Sequence, residues 1–217
     1  VSAQLAVDWK QLDSLTLLEA GVTRREDGTV VVPYRRPDGT TVREKLFPPR
    51  GRSYWGPGLG IIPFGLEQLA ESTAERDRRN VMVCEGESDA LAVRGALAVW
   101  RGDPLDVIAV PGASTWRAEW ATHTRGCLRL YAAADGDAAG RAMADRILGD
   151  VPGLRLVRMP EGEDARSVIH QRGVDVFCQL LAGADLAACQ ALAFRLAATR
   201  DEWVDHMQAM YEQGVWG

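Results

Sequence analysis

From residue 81 to residue 173 the chain keeps one rhythm, and that rhythm leaves few folds open. Short apolar runs (Val81-Met82-Val83-Cys84, Asp106 to Val110, Leu128 to Ala134, Leu154 to Arg158) alternate with stretches patterned as helix, Ser88 to Trp100 and Ala138 to Leu148. Runs that are apolar throughout, rather than at every second residue, fit strands covered on both faces. Strands separated by helices at this spacing predict an α/β layer with a central parallel sheet flanked by helices.

The flanks lack this rhythm. Leu12, Leu15, Leu17 and Leu18 predict a short helix ending near Gly21. Val30 to Tyr34 and Thr40 to Phe47 predict two strands, and Asp38-Gly39 between them is a strong hairpin turn signal. Prolines and glycines from Pro48 to Pro63 then break the chain around Tyr54 and Trp55, and residues 65–79 read as helix. Residues 174–217 are rich in alanine and leucine and predict two or three helices, as a small bundle or a packing arm. The expected organisation is a small basic α+β subdomain over 1–80, the α/β domain over 81–173 and a helical C-terminal region over 174–217.

Composition enters through charge. The formal charge is -5 over 217 residues, which excludes a surface coated throughout in cations for nucleic acid. A local basic face remains open: Arg24, Arg25, Arg35, Arg36, Arg43, Lys45, Arg50 and Arg52 outnumber Glu26, Asp27, Asp38 and Glu44, whereas residues 174–217 are acidic. Lysine occurs only at Lys10 and Lys45, and arginine supplies the other cations, which suits bidentate phosphate contacts. A GC-rich genome would leave the same mark. Cys84, Cys127, Cys178 and Cys189 form no Cys-x-x-Cys pair, and no histidine stands at zinc-finger spacing. We therefore expect reduced, mostly buried thiols, no zinc and a cytoplasmic protein. No signal peptide and no apolar run of eighteen residues is present, so no membrane role is expected.

Acidic residues gather where the strands end. Glu85 follows the first run and Asp89 stands one helical turn later; Asp135 and Asp137 follow the third; Asp164 follows the fourth, with Glu161 and Glu163 beside it. In an open parallel sheet the carboxyl ends of the strands share one edge, where ligands bind, so these carboxylates converge. Converging carboxylates repel, and need a compensating cation or raised pKa values. Hard oxygen ligands suit Mg²⁺ or Mn²⁺. Gly86 and Gly140 permit close backbone approach at the same rim. A single carboxylate of this kind is equally well explained as a helix cap, Asp135 before the helix at Ala138 included.

The motifs resemble a known fold. Cys84-Glu85-Gly86-Glu87-Ser88-Asp89-Ala90-Leu91 resembles the first motif of the Toprim fold, Ala134-Asp135-Gly136-Asp137-Ala138-Ala139-Gly140 the second, and Pro160-Glu161-Gly162-Glu163-Asp164-Ala165 the third. The resemblance covers about residues 80–170. Val32 to Gly39, then Arg43-Glu44-Lys45, is similar to the hairpin that precedes Toprim in DnaG-type bacterial and phage primases. Gly51 to Gly56 and Pro63-Phe64-Gly65 are similar to the linking segment of phage primase–helicases.

The resemblance implies a DNA primase core: metal-dependent, template-directed synthesis of short RNA primers from nucleoside triphosphates. Glu85, Asp135 and Asp137 would hold divalent metal, with Asp89 and Asp164 assisting. Arg43 and Lys45, with Arg35 and Arg36 beside them, would form a positive wall toward template or nucleotide phosphate; a solvated hairpin is the plainer reading. Tyr54 and Trp55 would stack a base or simply pack. His123 and His170 read as structural or surface residues. The expected partners are single-stranded DNA and nucleoside triphosphates, with a replicative helicase or a separate zinc-binding subunit as further candidates, the helical tail serving as their dock or as a cap on the sheet.

The chain also departs from the family. Glu163 precedes Asp164 where lysine is usual, and Arg166 follows where Asn or Asp is usual, so the third motif's role is open. There is no zinc module and no Walker A motif; the chain reads as a segment of a larger primase or a stand-alone piece from a phage or mobile element. Two alternatives stay open: a Toprim nuclease using the same acids on a phosphodiester, and a non-catalytic module binding DNA or a replisome partner.

Overall fold

The computed structural model describes residues 4–5, 9–69, 79–97, 105–151 and 153–184. The first elements are β1 (Gln4–Leu5), α1 (Ser14–Glu19), β2 (Thr23–Arg24), β3 (Val30–Arg35), β4 (Thr41–Phe47) and β5 (Tyr54–Trp55). The five strands form an antiparallel sheet in sequence order. Asp13 starts α1 by accepting the amide of Thr16 at 2.8 Å. The turn between β3 and β4 closes as expected at Asp38-Gly39. Gly39 donates to the carbonyl of Arg36 at 2.9 Å in the left-handed region, φ 81°, and the Asp38 carboxylate accepts from the amide of Thr40.

The second unit contains β6 (Asn80–Cys84), α2 (Glu87–Leu97), β7 (Leu105–Ala109), β8 (Arg129–Ala134), α3 (Ala138–Asp150), β9 (Arg155–Arg158) and α4 (Ala165–Arg172), followed by helical backbone over 174–184. The four strands are parallel, in the order β7-β6-β8-β9. This is the α/β layer that the apolar runs predicted, with element ends shifted by a residue or two. Beyond Leu69, the helix expected over 65–79 lies outside the described residues through residue 78. Residues 98–100 of the helix expected to Trp100 and all of 185–217 lie outside them too. The turn at Leu66–Gln68 is 3₁₀, not α.

The uniform apolarity of these strands is explained by burial on both faces. Met82, Cys84, Val107, Ala109, Tyr131, Ala133 and Val157 face α2, α4 and the antiparallel sheet, in one cluster with Trp9, Leu17, Val22, Val32, Tyr34 and Phe64. Val81, Val83, Ile108, Leu130, Ala132 and Ala134 face α3, Trp116 and Trp120. The first cluster also takes in Phe177 and Leu181 of the 174–184 helix. The two sheets are further joined at Phe64, which exchanges backbone hydrogen bonds with Ala109 of the edge strand β7 at 2.8 and 3.0 Å. Cys84 is buried, Cys127 and Cys178 are half-buried, and all three are free thiols; Cys189 lies outside the described residues.

Candidate functional site

The chain leaves β6 for β7 on one side of the sheet and then crosses to β8 on the other, so the strand order reverses between β6 and β8. Such a reversal opens a crevice at the carboxyl ends of the two strands. Glu85 ends β6 and Asp135 ends β8, and the register pairs Cys84 with Ala133, so the two acids stand side by side at that crevice. Each has an orphan: Glu85 Oε2 and Asp135 Oδ1 are buried and accept no hydrogen bond. Burial, followed by Asp89, Glu85, Asp164 and Asp137, pushes the Asp135 carboxyl up to about 8. Burial, then Asp137 and Asp89, raises Glu85. Asp89, in the first turn of α2 and 6% exposed, accepts the Arg166 amide at 3.2 Å; burial and then Asp164 push it up to about 6.

The remaining two acids are helix caps. Asp137 caps α3 by accepting the Gly140 amide at 2.8 Å and is exposed. The cap before Ala138 is thus Asp137, which frees Asp135 for the crevice. Asp164 caps α4 in a reciprocal box with Ser167, accepting its amide at 2.6 Å while its own amide donates to the Ser167 hydroxyl at 2.9 Å. Burial raises the Asp164 carboxyl, but the amide and hydroxyl of Ser167 and the guanidinium of Arg166 outweigh it and leave the pKa lowered. Glu163 turns away to pair with Arg172, its Oε2 accepting from Nε at 3.0 Å.

Close backbone approach fixes these turns to one another. The Gly136 amide donates to Glu163 at 2.9 Å and its carbonyl accepts from Gly162 at 3.1 Å. A Cβ on Gly136 would come within 1.8 Å of the Pro160 carbonyl oxygen, and one on Gly140 within 2.4 Å of that of Asp135. The second and third motifs are therefore one hydrogen-bonded unit.

The basic residues divide by position. Lys45 is drawn in beside the first motif: its ammonium donates to Glu87 Oε1 at 2.7 Å and to the Pro111 carbonyl at 3.2 Å, under the rings of Phe47 and Trp55. The buried Tyr34 hydroxyl donates to the same Glu87 oxygen. Arg43 lies over Trp55 and donates to the Gly56 carbonyl at 2.8 Å. Arg35 donates to the Ala20 carbonyl at 3.2 Å, and Arg36 is exposed at the hairpin turn. Trp55 packs edge-on against Tyr34 at 4.8 Å, whereas Tyr54 is exposed. His170 is exposed and His123 half-buried.

Three residues at this centre carried no assignment from sequence. Glu87 anchors Lys45. Lys10 donates to Ser88 Oγ at 3.0 Å, and the charges of Asp89, Arg166, Glu87 and Asp164 act on it. Arg166 donates through its side chain to Asp164 at 3.3 Å as well as through its amide to Asp89. The signal for Lys10 was present in composition, since the only two lysines, distant in sequence, both reach the first motif.

Among the described residues no three acidic, histidine or cysteine side chains close into a single metal cage. Glu85 and Asp135 nevertheless fit a divalent cation, because each keeps a buried oxygen that accepts no hydrogen bond among the described residues and the charges acting most strongly on both are acidic. Mg²⁺ is commonly held by one or two carboxylates plus water and substrate phosphate rather than by an all-protein cage. Beside Asp135 a cavity of about 400 Å³ opens between α3 and β9, with Arg141, Asp145, Leu156, Arg158 and Met159 in its wall. Among the described residues no helix is long and apolar enough to cross a membrane.

Known proteins resemble the chain. No protein-family model matches it. The gene 57 protein of Mycobacterium phage D29 is 32% identical over 104 residues, which is 48% of this chain and 64% of that relative. A DNA primase domain from Pseudomonas aeruginosa superposes with a TM-score of 0.56 at 22% identity, covering 83% of this chain and 63% of that one. The primase fragment of the bacteriophage T7 primase-helicase gives 0.63 at 21%, covering 78% and 70%. The DnaG primase catalytic domain bound to single-stranded DNA gives 0.57 at 19%, covering 86% and 66%. The chain thus spans less than two thirds of the length of the phage relative and of the Pseudomonas aeruginosa domain, and its fold is that of the DnaG-type primase catalytic core.

Proposed function

We propose that this chain is the catalytic core of a DNA primase, joining ribonucleoside triphosphates into short primers on a single-stranded DNA template in a divalent-metal-dependent reaction. The observation that carries this reading is the pair of orphaned carboxylates, Glu85 and Asp135, at the switch point of a parallel sheet that is roofed by a basic antiparallel sheet. The acids alone would serve a nuclease equally well. The roof favours polymerisation, because the likeness to primase cores extends over both sheets, covering 86% of the chain in the neighbour whose DNA strand is bound.

Glu85 and Asp135 would hold the ion, with the exposed Asp137 at the rim. Bound there, Mg²⁺ or Mn²⁺ supplies neutralisation of the triphosphate and a more acidic primer 3′-hydroxyl. Glu87 and the Pro111 carbonyl engage two of the three N–H groups of Lys45, leaving one for a phosphate oxygen. Arg36 and the free nitrogens of Arg43 meet template or nucleotide phosphate along the hairpin. The cavity beside Asp135 is of a size for a nucleotide.

The test uses mixed-sequence single-stranded templates, labelled ribonucleotides and Mg²⁺ or Mn²⁺, with and without a short primer, on the protein and on Asp135→Asn/Asp137→Asn. Nucleotide-dependent products that the double variant fails to make are expected. Products that require the primer would place initiation on a partner. Shortened templates without incorporation would replace this reading with the nuclease, and binding without either reaction would replace it with a non-catalytic module.

A further inference from the structure

The acids at the crevice fall into two groups that differ in which charges stand beside them. Asp89 and Asp164 have fixed cations close by, although burial and then Asp164 still leave the Asp89 carboxyl raised, at about 6. Asp89 accepts the Arg166 amide at 3.2 Å and Asp164 its guanidinium at 3.3 Å, and the Lys10 ammonium, held on Ser88 at 3.0 Å, lies within the field of both. Glu85 and Asp135 each keep a buried oxygen without a hydrogen-bond partner among the described residues, and the charges acting most strongly on both are acidic. A divalent ion requires an uncompensated negative field, and a fixed cation within the first group raises the cost of placing another there.

We propose that Arg166 and Lys10 are resident counter-cations of Asp89 and Asp164, so that the chain binds one divalent ion, on Glu85 and Asp135, and offers a nucleotide phosphate the Arg166 guanidinium where a second ion would otherwise sit. This rests on the primase reading of the site. The Arg166 side chain is 27% exposed, so an anion can reach it. Its planar fork contacts phosphate oxygens directly, which makes it a fixed positive element that chelators cannot remove.

The experiment counts ions without nucleotide or template, so its outcome is independent of whether the protein makes primers. Free and bound Mn²⁺ are measured by electron paramagnetic resonance on the protein, Arg166→Asp, Asp89→Asn and Asp135→Asn, with each fold checked by circular dichroism. One Mn²⁺ per chain is expected for the protein and two for Arg166→Asp. Asp89→Asn should keep its ion within about threefold in affinity, whereas Asp135→Asn should lose it by at least about tenfold. Two ions on the protein, a single ion on folded Arg166→Asp, or loss of the ion in Asp89→Asn would each overturn the proposal.

Discussion

Burial and acidic neighbours dominate the surroundings of the Asp135 carboxyl, and this gives it a pH signature. With burial and four acidic neighbours holding its pKa at about 8 against an ordinary 3.8, the folded state binds more protons than the unfolded state across that window. Its contribution to stability is therefore full at acid pH and is lost as pH rises toward 8. Replacing it with Asn removes the charge that appears over that range. The margin by which Asp135→Asn melts above the parent should widen from pH 5 to pH 8.5, by roughly a few degrees, in thermal scans made with chelator. The sign should reverse with Mn²⁺, which stabilises only the parent. Asp164 behaves oppositely: Ser167 and Arg166 lower its pKa despite burial, so its contribution is present above the ordinary carboxylate range and fades as pH falls through the lowered value.

At the level of the element, α3 begins where two roles meet in one motif. Asp137 caps the helix through Gly140, and Asn is as good a cap as Asp. Asp137→Asn should therefore keep its melting temperature while primer synthesis falls sharply. Asp137→Ala should lose the cap as well, about 1 kcal/mol in denaturant titrations. Equal activity of Asp137→Asn and parent would remove Asp137 from the site. The turn just before it is more sensitive. Gly136 has no room for a methyl group against the Pro160 carbonyl, so Gly136→Ala must push the second and third motifs apart. A loss of at least about 2 kcal/mol is expected, with weaker Mn²⁺ binding.

At the scale of the molecule, the two sheets share a hydrophobic cluster and a buried ion pair. Lys45 and Glu87 have side chains 12% and 6% exposed, at 2.7 Å. Removing one partner of such a pair strands the other. Lys45→Met should cost about 3–5 kcal/mol, and Lys45→Met/Glu87→Met should regain much of that; additive losses would show the two residues to be uncoupled. Phe64 is buried against Tyr34 at 5.7 Å and beneath Arg94 at 4.9 Å, while its backbone extends the parallel sheet. Phe64→Ala should cost about 3–5 kcal/mol and lower the signals of both sheets together in one unfolding transition.

The apolar runs and their spacing determined the parallel sheet, and the Asp38-Gly39 pair determined the hairpin, because periodicity and turn chemistry are local properties of the chain. The acids at the strand ends were equally legible, since a parallel sheet brings all its carboxyl ends to one edge whatever the loops do. Which acids stay free was decided only by tertiary structure. Asp137 and Asp164 spend an oxygen on helix amides, Glu163 is taken by Arg172, and Glu85 and Asp135 keep buried oxygens with no partner. The cations followed the same division: Lys45 is held on Glu87, and Lys10, ahead of α1 in the chain, reaches Ser88. Each of those outcomes depends on contacts between residues distant in sequence, where burial and a competing partner, rather than residue type, set what a charge can do.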